Sequence, residues 1–275
     1  MTRLIWATAF GVTVTAAAAA QGVMIAPHAV FIDHRQRSGA VTLLNPGTEP
    51  VEVSVAVFYG YTSVDSVAGL NLVTIEHPDS TQPSAAGWVQ AFPRRLTVGP
   101  GERQTVRLLA SPPAGLRDGE YWARLAFTAK AGQVPVAGVT DTARIRIGLD
   151  LQVRSIIGLW YRKGSVRTGV TVSGVRAERL GDSVRVGAML TRTGNASYLG
   201  TAHIELRDAR GRVVSELRAP VTVFEQDSPR WVLPVSGTGP FQVRLELLTQ
   251  RDDFDDQRLV LQAAPVRDSA AVTVP

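Results

Sequence analysis

A run of strictly alternating apolar and polar positions, from Arg144 to Arg154, constrains the fold of this chain more than any other feature. The apolar positions of the run are Ile145, Ile147, Leu149, Leu151 and Val153. A period of two residues predicts a β-strand with one apolar face and one polar face. At about 3.3 Å per residue the run would extend over roughly 35 Å, which exceeds the length of an ordinary globular strand.

Two interpretations of this long strand are open. In the first, its apolar face closes the core of its own β-sandwich. In the second, part of the apolar row is left uncovered and is offered to another protein, because an exposed strand edge with a regular apolar row can complete a foreign sheet.

The remaining sequence alternates short strand patterns with turn residues and has almost no helical periodicity. A clear case is the hairpin formed by Ala40–Leu44, the turn Asn45–Thr48 and the alternating segment Val51–Tyr59. These patterns predict an all-β fold with two immunoglobulin-like β-sandwich domains in tandem. The predicted organisation is a signal peptide at 1–20, a first domain at 21–162, a second domain at 163–263 and a loose tail at 264–275.

The first twenty residues have the layout of a cleavable secretory signal. Arg3 precedes a short apolar run, and an alanine tract ends at Ala20. We therefore predict export and cleavage near Ala20. No later stretch of the sequence is long and apolar enough to span a bilayer, so no integral membrane segment is predicted after cleavage.

Several functional classes find no support in the sequence. It contains no cysteine, and its four histidines, His28, His34, His77 and His203, form no metal-ligand spacing. Nucleophile-elbow and phosphate-loop motifs are absent, so neither an enzyme nor a cofactor is predicted. The formal charge of +5 comes mainly from scattered arginines, which does not favour nucleic acid as a partner. The acidic run 252–256 is flanked by Arg251 and Arg258 and is interpreted as a solvated turn.

Five short segments carry a resemblance to a known family. They are Ala26–Phe31, Leu44–Gly47, Pro100–Leu108, Leu116–Tyr121 and Leu159–Arg162. In their order and approximate spacing they resemble the PapD-like family of periplasmic pilus chaperones, over about residues 23 to 162. The resemblance implies a periplasmic chaperone that lends the last strand of its first domain to a pilus-like subunit and delivers that subunit to an outer-membrane usher. The open alternative is a structural or adhesive two-sandwich envelope protein.

The resemblance also implies site residues. The family's donor positions align with Ile145, Ile147, Leu149 and Leu151, which are the apolar positions of the alternating run. Family members grip the terminal carboxylate of the subunit with an arginine on the first strand and a lysine near the end of the donor strand. Those positions hold His28 and Ile156 here. Arg154 lies two residues before Ile156 on the same face of the strand, so we expect Arg154, helped by His28, to take the carboxylate. The alternative is that Arg154 is an ordinary solvated arginine.

Overall fold

The computed structural model describes residues 22–65, 69–130, 134–135, 148–149, 152–254 and 256–273. Within them the regular structure is β-strand, apart from one short 3-10 helix, Gln257–Leu259. The prediction of an all-β fold is confirmed. The predicted signal peptide, residues 1–20, lies outside the described residues.

The first domain is built from twelve strands. They are β1 (Met24–Ala26), β2 (Ala29–Asp33), β3 (Ser38–Leu44), β4 (Val51–Asp65), β5 (Gly69–Ile75), β6 (Val89–Phe92), β7 (Arg95–Val98), β8 (Arg103–Ala110), β9 (Gly119–Lys130), β10 (Val134–Pro135), β11 (Gly148–Leu149) and β12 (Gln152–Lys163). Strand β10 pairs with β11 in an antiparallel ribbon that follows β9 and precedes β12 along the chain.

Two sheets of the first domain pack face to face. One has the order β1-β3-β8-β6, and the other has the order β2-β12-β9-β4-β5 with β7 beside β4. The alternating side chains of β4 show why the two sheets face each other. Val51, Val53 and Val55 are buried between the sheets, while the residues between them in the sequence are more exposed. They join a core that includes Val106 of one sheet and Leu125 of the other.

The second domain is formed by β13 (Thr168–Leu180), β14 (Ser183–Gly194), β15 (Tyr198–Asp208), β16 (Val213–Val223), β17 (Gln226–Asp227), β18 (Arg230–Pro234), β19 (Phe241–Leu248) and β20 (Val266–Thr273). Their order is β16-β15-β19-β20-β13-β14-β17, with β18 beside β14. Strand β20 pairs antiparallel with β19 and parallel with β13, so it joins the two halves of the sandwich. Val184, Ile204 and Leu245 are fully buried in its separate core.

The C-terminal segment differs from the sequence-based expectation. We expected 264–275 to be loose, but Val266–Thr273 forms β20. Val266, Ala270 and Val272 pack against the second core, and the backbone is hydrogen-bonded to strands on both sides. Small apolar residues are sufficient here because the sheet pairing anchors the segment.

Candidate binding site in the interdomain cleft

Strand β12 borders the cleft between the two domains and has an incompletely paired edge. Along its whole length, Gln152–Lys163, it pairs antiparallel with β9. On its other side β2 pairs with it in parallel, but only over Gly158–Arg162. In the part of the chain that the structure describes, the edge of Gln152–Ile157 opposite β9 therefore has no strand partner.

The two faces of β12 have different surroundings. Ile157, Leu159 and Tyr161 belong to the core of the first domain. Ile156 and Trp160 lie on the opposite face and line the cleft towards the second domain. Period-two alternation thus continues through β12: one set of apolar side chains faces the core of the first domain, and the apolar side chains of Ile156 and Trp160 face the cleft.

The predicted donor residues precede this strand. Ile145, Ile147 and Leu151 lie outside the described residues. Leu149 is described by its backbone alone, which pairs with Val134 in the ribbon of β10 and β11. The assignment of these four residues to subunit binding stays a prediction.

His28 and Ile156, which occupy the two anchor positions implied by the family resemblance, line the same cavity. The cavity has a volume of about 320 Å³ and lies between the domains. Thr62 and Arg124 of the first domain, together with Phe224, Arg251 and Asp253 of the second domain, also line it. The fold therefore brings together the two residues that the family resemblance assigned to the anchor positions, although they are far apart in the chain.

Arg154 lies two residues before Ile156 on β12 and is not among the residues that line this cavity. The guanidinium of Arg154 sits over the ring of Phe58 on β4, with 5.6 Å between the guanidinium carbon and the ring centroid. The sequence predicted the position of Arg154 on the strand but not this contact. The role of Arg154 as an anchor stays a prediction.

Arg124 is a residue of the cavity wall that the sequence-based reasoning did not select. It lies on β9 in register with Gly158 of β12. Its Nε donates a hydrogen bond to the carbonyl of Gly60 at 3.2 Å, and its guanidinium lies over the rings of Phe224 at 5.1 Å and Trp160 at 6.0 Å. A signal was present, because Arg124 interrupts the largely apolar segment Tyr121–Ala129.

The electrostatic state of Arg124 is unusual. The residue is 7% exposed, and its Nη2 has no hydrogen-bond partner among the residues that the structure describes. Burial lowers the pKa of Arg124 to about 10, because desolvation disfavours the charged form. Arg251 on the opposite wall is also buried, but it forms an ion pair with Asp253 and donates to Thr222. Arg124 is thus a buried cation with unused donor capacity.

A buried carboxylate connects the two domains beneath the cleft. Oε1 of Glu120 accepts hydrogen bonds from the indole Nε1 of Trp122 at 2.8 Å and from the backbone N and Oγ of Ser197 at 2.9 and 2.6 Å. Its Oε2 accepts from Nε of Arg162 at 2.8 Å. The Oγ of Ser197 in turn accepts from the indole Nε1 of Trp160 at 3.1 Å. Two segments that the sequence analysis separated at the domain boundary are therefore hydrogen-bonded to each other.

Aromatic and aliphatic side chains from both domains surround this network. Tyr59, Trp122 and Trp160 from the first domain pack with Leu199, Phe224 and Val260 from the second. A second connection forms where the end of β4 reaches β17. There the backbone N of Val64 donates to Asp227 at 2.9 Å, and the backbone N of Ser228 donates to the Val64 carbonyl at 2.7 Å. Burial raises the pKa of the Asp227 carboxyl. The two domains therefore contact each other at two places, one around Glu120 and one where β4 meets β17.

The described ranges contain no cluster of His, Cys, Asp and Glu residues that could hold a metal ion. In the acidic run, Asp253 pairs with Arg251 and Asp256 pairs with Arg258. Among the described residues, no helix has the length and the apolar character that crossing a membrane requires.

Comparison with known proteins gave matches only among solved structures. No protein-family profile matches the sequence. No curated protein is significantly similar to it. Many solved structures that align with most of the chain at low identity are fimbrial chaperones of the PapD-like type.

Three of these structures serve as examples of the similarity in sequence and fold. The CupB2 chaperone of Pseudomonas aeruginosa is 14% identical, with 91% of this chain and 100% of that chain covered and a TM-score of 0.43. A chain of the CsuC–CsuE complex of a chaperone with a tip subunit, from Acinetobacter baumannii, is 14% identical, with coverage of 92% and 99% and a TM-score of 0.47. A chain of the Salmonella enterica complex of SafA pilin with the SafB chaperone is 14% identical, with coverage of 90% and 96% and a TM-score of 0.44.

Proposed function

We propose that this chain is a non-enzymatic periplasmic chaperone that binds pilus-type subunits by strand donation and delivers them to an outer-membrane usher. The observation that carries the proposal is the edge of β12 over Gln152–Ile157, which has no strand partner among the described residues: β9 pairs on one side, and β2 begins only at Gly158 on the other. An unpaired edge of a long strand offers backbone donors and acceptors to an incoming strand. The partner is then a β-rich subunit that lacks a strand.

The apolar row that precedes β12 supplies the side-chain part of the interaction. In this proposal Ile145, Ile147, Leu149 and Leu151 fill the groove that the missing strand leaves in the subunit. Each such side chain contributes roughly 1.5 to 3 kcal/mol when it is fully buried, so four contribute up to about 6 to 12 kcal/mol before the costs of association are subtracted. An interaction of this size can hold a subunit and still release it.

A carboxylate anchor completes the proposed site. Arg154 and His28 are the residues that the sequence favours for this role. The position of His28 supports an anchor in the cleft, since His28 lines the same cavity as Ile156 and Gly158. A carboxylate at this end of the open edge would accept charge-assisted hydrogen bonds.

Backbone amide hydrogen exchange tests the proposal. The chain is co-expressed with β-rich subunits encoded beside its gene, and the purified complex is compared with the free chaperone. Strand donation slows exchange of the outward-facing amides of Gln152–Ile157 in the complex. Capture of no subunit, or a complex in which these amides exchange as in the free protein, would favour the structural or adhesive alternative.

A further inference from the structure

We infer that the outward face of β13, β14 and β18 in the second domain binds the phosphate headgroups of an anionic phospholipid membrane. We call it the arginine face, after Arg176, Arg185 and Arg230. Among the described residues, its cavity shares no lining residue with the cavity of the interdomain cleft. Export, as predicted from residues 1–20, would place this face beside phospholipid membranes. The inference does not rest on the capture of subunits.

The first argument is the shape of the arginine face. A cavity of about 490 Å³ opens on it. Strand β13 has a bulge between Ser173 and Arg176, and in the next row of the sheet Gly187 of β14 lies between Arg176 and Arg230. A Cβ atom at Gly187 would lie 3.9 Å from the Pro229 carbonyl oxygen, an ordinary van der Waals distance, so the space above the glycine is open. One arginine therefore borders the opening from each side.

The second argument is the charge around the opening. Arg176, Arg185 and Arg230 bring three positive charges and Glu178 brings one negative charge, which leaves two positive charges. In the described part of the chain none of these four side chains forms an ion pair, although other arginines of the second domain are paired with carboxylates. Neighbouring like charges destabilise a sheet face. Phosphate groups would compensate these charges through bidentate, charge-assisted hydrogen bonds.

The third argument is that exposed apolar side chains accompany the arginines. Met189 lines the cavity and is 37% exposed, and Val232 lies opposite Arg185 in the sheet and is 59% exposed. Cations together with exposed apolar side chains are typical of proteins that bind at a membrane surface. There the cations contact the headgroups and the apolar side chains enter the boundary of the acyl region. A free phosphate ion would use the cations alone, so this combination favours a lipid.

The width of the arginine face also favours a membrane. Strands in a sheet lie about 4.8 Å apart, so Arg176 on β13 and Arg230 on β18 are separated by about 10 Å across β14. A membrane presents phosphates over that whole width. An extended acidic peptide would follow a single line and would meet fewer of the three arginines.

Flotation of the purified mature protein with lipid vesicles tests the inference. The anionic vesicles contain equal amounts of phosphatidylglycerol and phosphatidylcholine, and the neutral reference is phosphatidylcholine alone. We expect wild type to float with the anionic vesicles at millimolar lipid and to remain unbound with the neutral ones. Binding should weaken as salt is added, because salt screens the attraction between exposed charges.

A triple variant locates the binding. It combines Arg176→Gln, Arg185→Gln and Arg230→Gln. Each arginine near an anionic surface contributes roughly fivefold to the partition constant, so the triple variant should bind roughly a hundredfold more weakly than wild type. The control removes the same charge at three exposed arginines outside the face, by Arg210→Gln, Arg218→Gln and Arg244→Gln. The control should keep most of the binding.

A second variant leaves the three arginines in place. Gly187→Glu puts a carboxylate between Arg176 and Arg230, so it should weaken binding roughly fivefold, as the loss of one positive charge does. Gly87→Glu is its control, because a Cβ at 87 has no atom within 4 Å and lies in the first domain. Circular dichroism verifies that each variant is folded. If the triple variant fails to fold, the comparison of Gly187→Glu with Gly87→Glu decides the question.

The inference is overturned if wild type binds anionic and neutral vesicles equally, or if each variant and its control lose the same amount of binding. Inorganic phosphate is added in parallel with sodium chloride of the same ionic strength. Release by phosphate alone would assign the opening to a free phosphate group. Binding of a glutamate-rich peptide without binding of vesicles would assign the face to an acidic protein segment. Either result overturns the assignment to a membrane.

Subunit capture separates this inference from the proposed function. The triple variant should capture subunits as well as wild type does, because the open edge of β12 is unchanged. Loss of capture in the triple variant alone would assign the arginine face to the subunit and would overturn the inference. Vesicle binding by a wild type that captures no subunit removes the proposed function alone.

Discussion

Gly158 and Arg124 lie opposite each other on neighbouring strands, and the guanidinium of Arg124 lies next to the space that a side chain at 158 would fill. The ring of Trp160 covers the same space from β12, with its Cη2 atom 2.3 Å from the position of a Cβ at 158. One glycine thus allows an arginine and a tryptophan to meet at the wall of the cleft. The shape of the cavity wall depends on that absence of a side chain.

Gly158→Ala should destabilise the first domain, because a methyl group there overlaps the ring of Trp160. Overpacking of this kind costs about 1 to 3 kcal/mol in free energy of unfolding. Urea denaturation followed by tryptophan fluorescence measures it. Gly87→Ala is the matched control, since a Cβ at 87 has no atom within 4 Å. Unchanged stability of Gly158→Ala would mean that Trp160 and Arg124 move aside freely.

The double substitution Leu149→Asp and Leu151→Asp should abolish capture of subunits and leave the fold intact. A donated face is not needed by the core of its own domain, whereas two carboxylates buried in a core would cost several kcal/mol each. Co-purification of subunit and thermal melting by circular dichroism measure the two effects. An unfolded double variant would indicate that the alternating run closes its own sandwich.

Glu120→Gln should weaken the connection between the domains. The substitution keeps the shape of the side chain but leaves the guanidinium of Arg162 without its counter-ion. Removal of one partner from a buried ion pair typically costs about 3 kcal/mol. Chemical denaturation measures the loss, and Asp256→Asn, which removes the pair with the exposed Arg258, is the control expected to show no measurable change. Equal stabilities of both variants would contradict a structural role for Glu120.

The strands of this chain could be predicted from its sequence because period-two alternation is a local property. The alternation of Val51, Val53 and Val55 predicts their burial without knowledge of the partner strand. Val266–Thr273 was wrongly expected to be loose, because its inward residues include the small side chain of Ala270 and its anchoring comes from β13 and β19.

The candidate site was predictable only in part, because the walls of its cavity come from segments that are distant in the sequence. Spacing along one strand placed Arg154 and Ile156 on the same face, but it could not reveal that Phe58 lies under Arg154. The burial of Arg124 depends on Phe224 of the second domain. The sequence of the segment Tyr121–Ala129 does not predict the contact between Arg124 and Phe224.

Export predicts a shortened mature protein. If the signal at residues 1–20 is cleaved near Ala20, the mature chain begins close to Gln21 and loses the charge of Arg3. Mass spectrometry of the protein isolated from its native envelope measures the new amino terminus. An intact Met1 in the membrane fraction would contradict cleavage.

Asp227 should make the stability of the folded protein depend on pH. Its carboxylate accepts a hydrogen bond from the backbone N of Val64, and burial raises its pKa above the unfolded value of about 3.9. Between those two pKa values the folded state binds more protons than the unfolded state. The contribution of Asp227 to stability is therefore fully present below the unfolded pKa and is lost as pH rises through the folded pKa.

Asp227→Asn keeps an oxygen acceptor for the backbone N of Val64 but cannot ionise. This variant should therefore not lose stability through residue 227 as the pH rises. The difference in unfolding free energy, variant minus wild type, should increase from about pH 4 upward and become constant above the folded pKa of Asp227. Urea denaturation at a series of pH values measures this difference. Asp79→Asn is the control, because the pKa of the exposed Asp79 is lowered by hydrogen bonds from Thr81 and its contribution has the opposite sign. A pH-independent difference for Asp227→Asn would mean that its carboxylate is solvated where β4 meets β17.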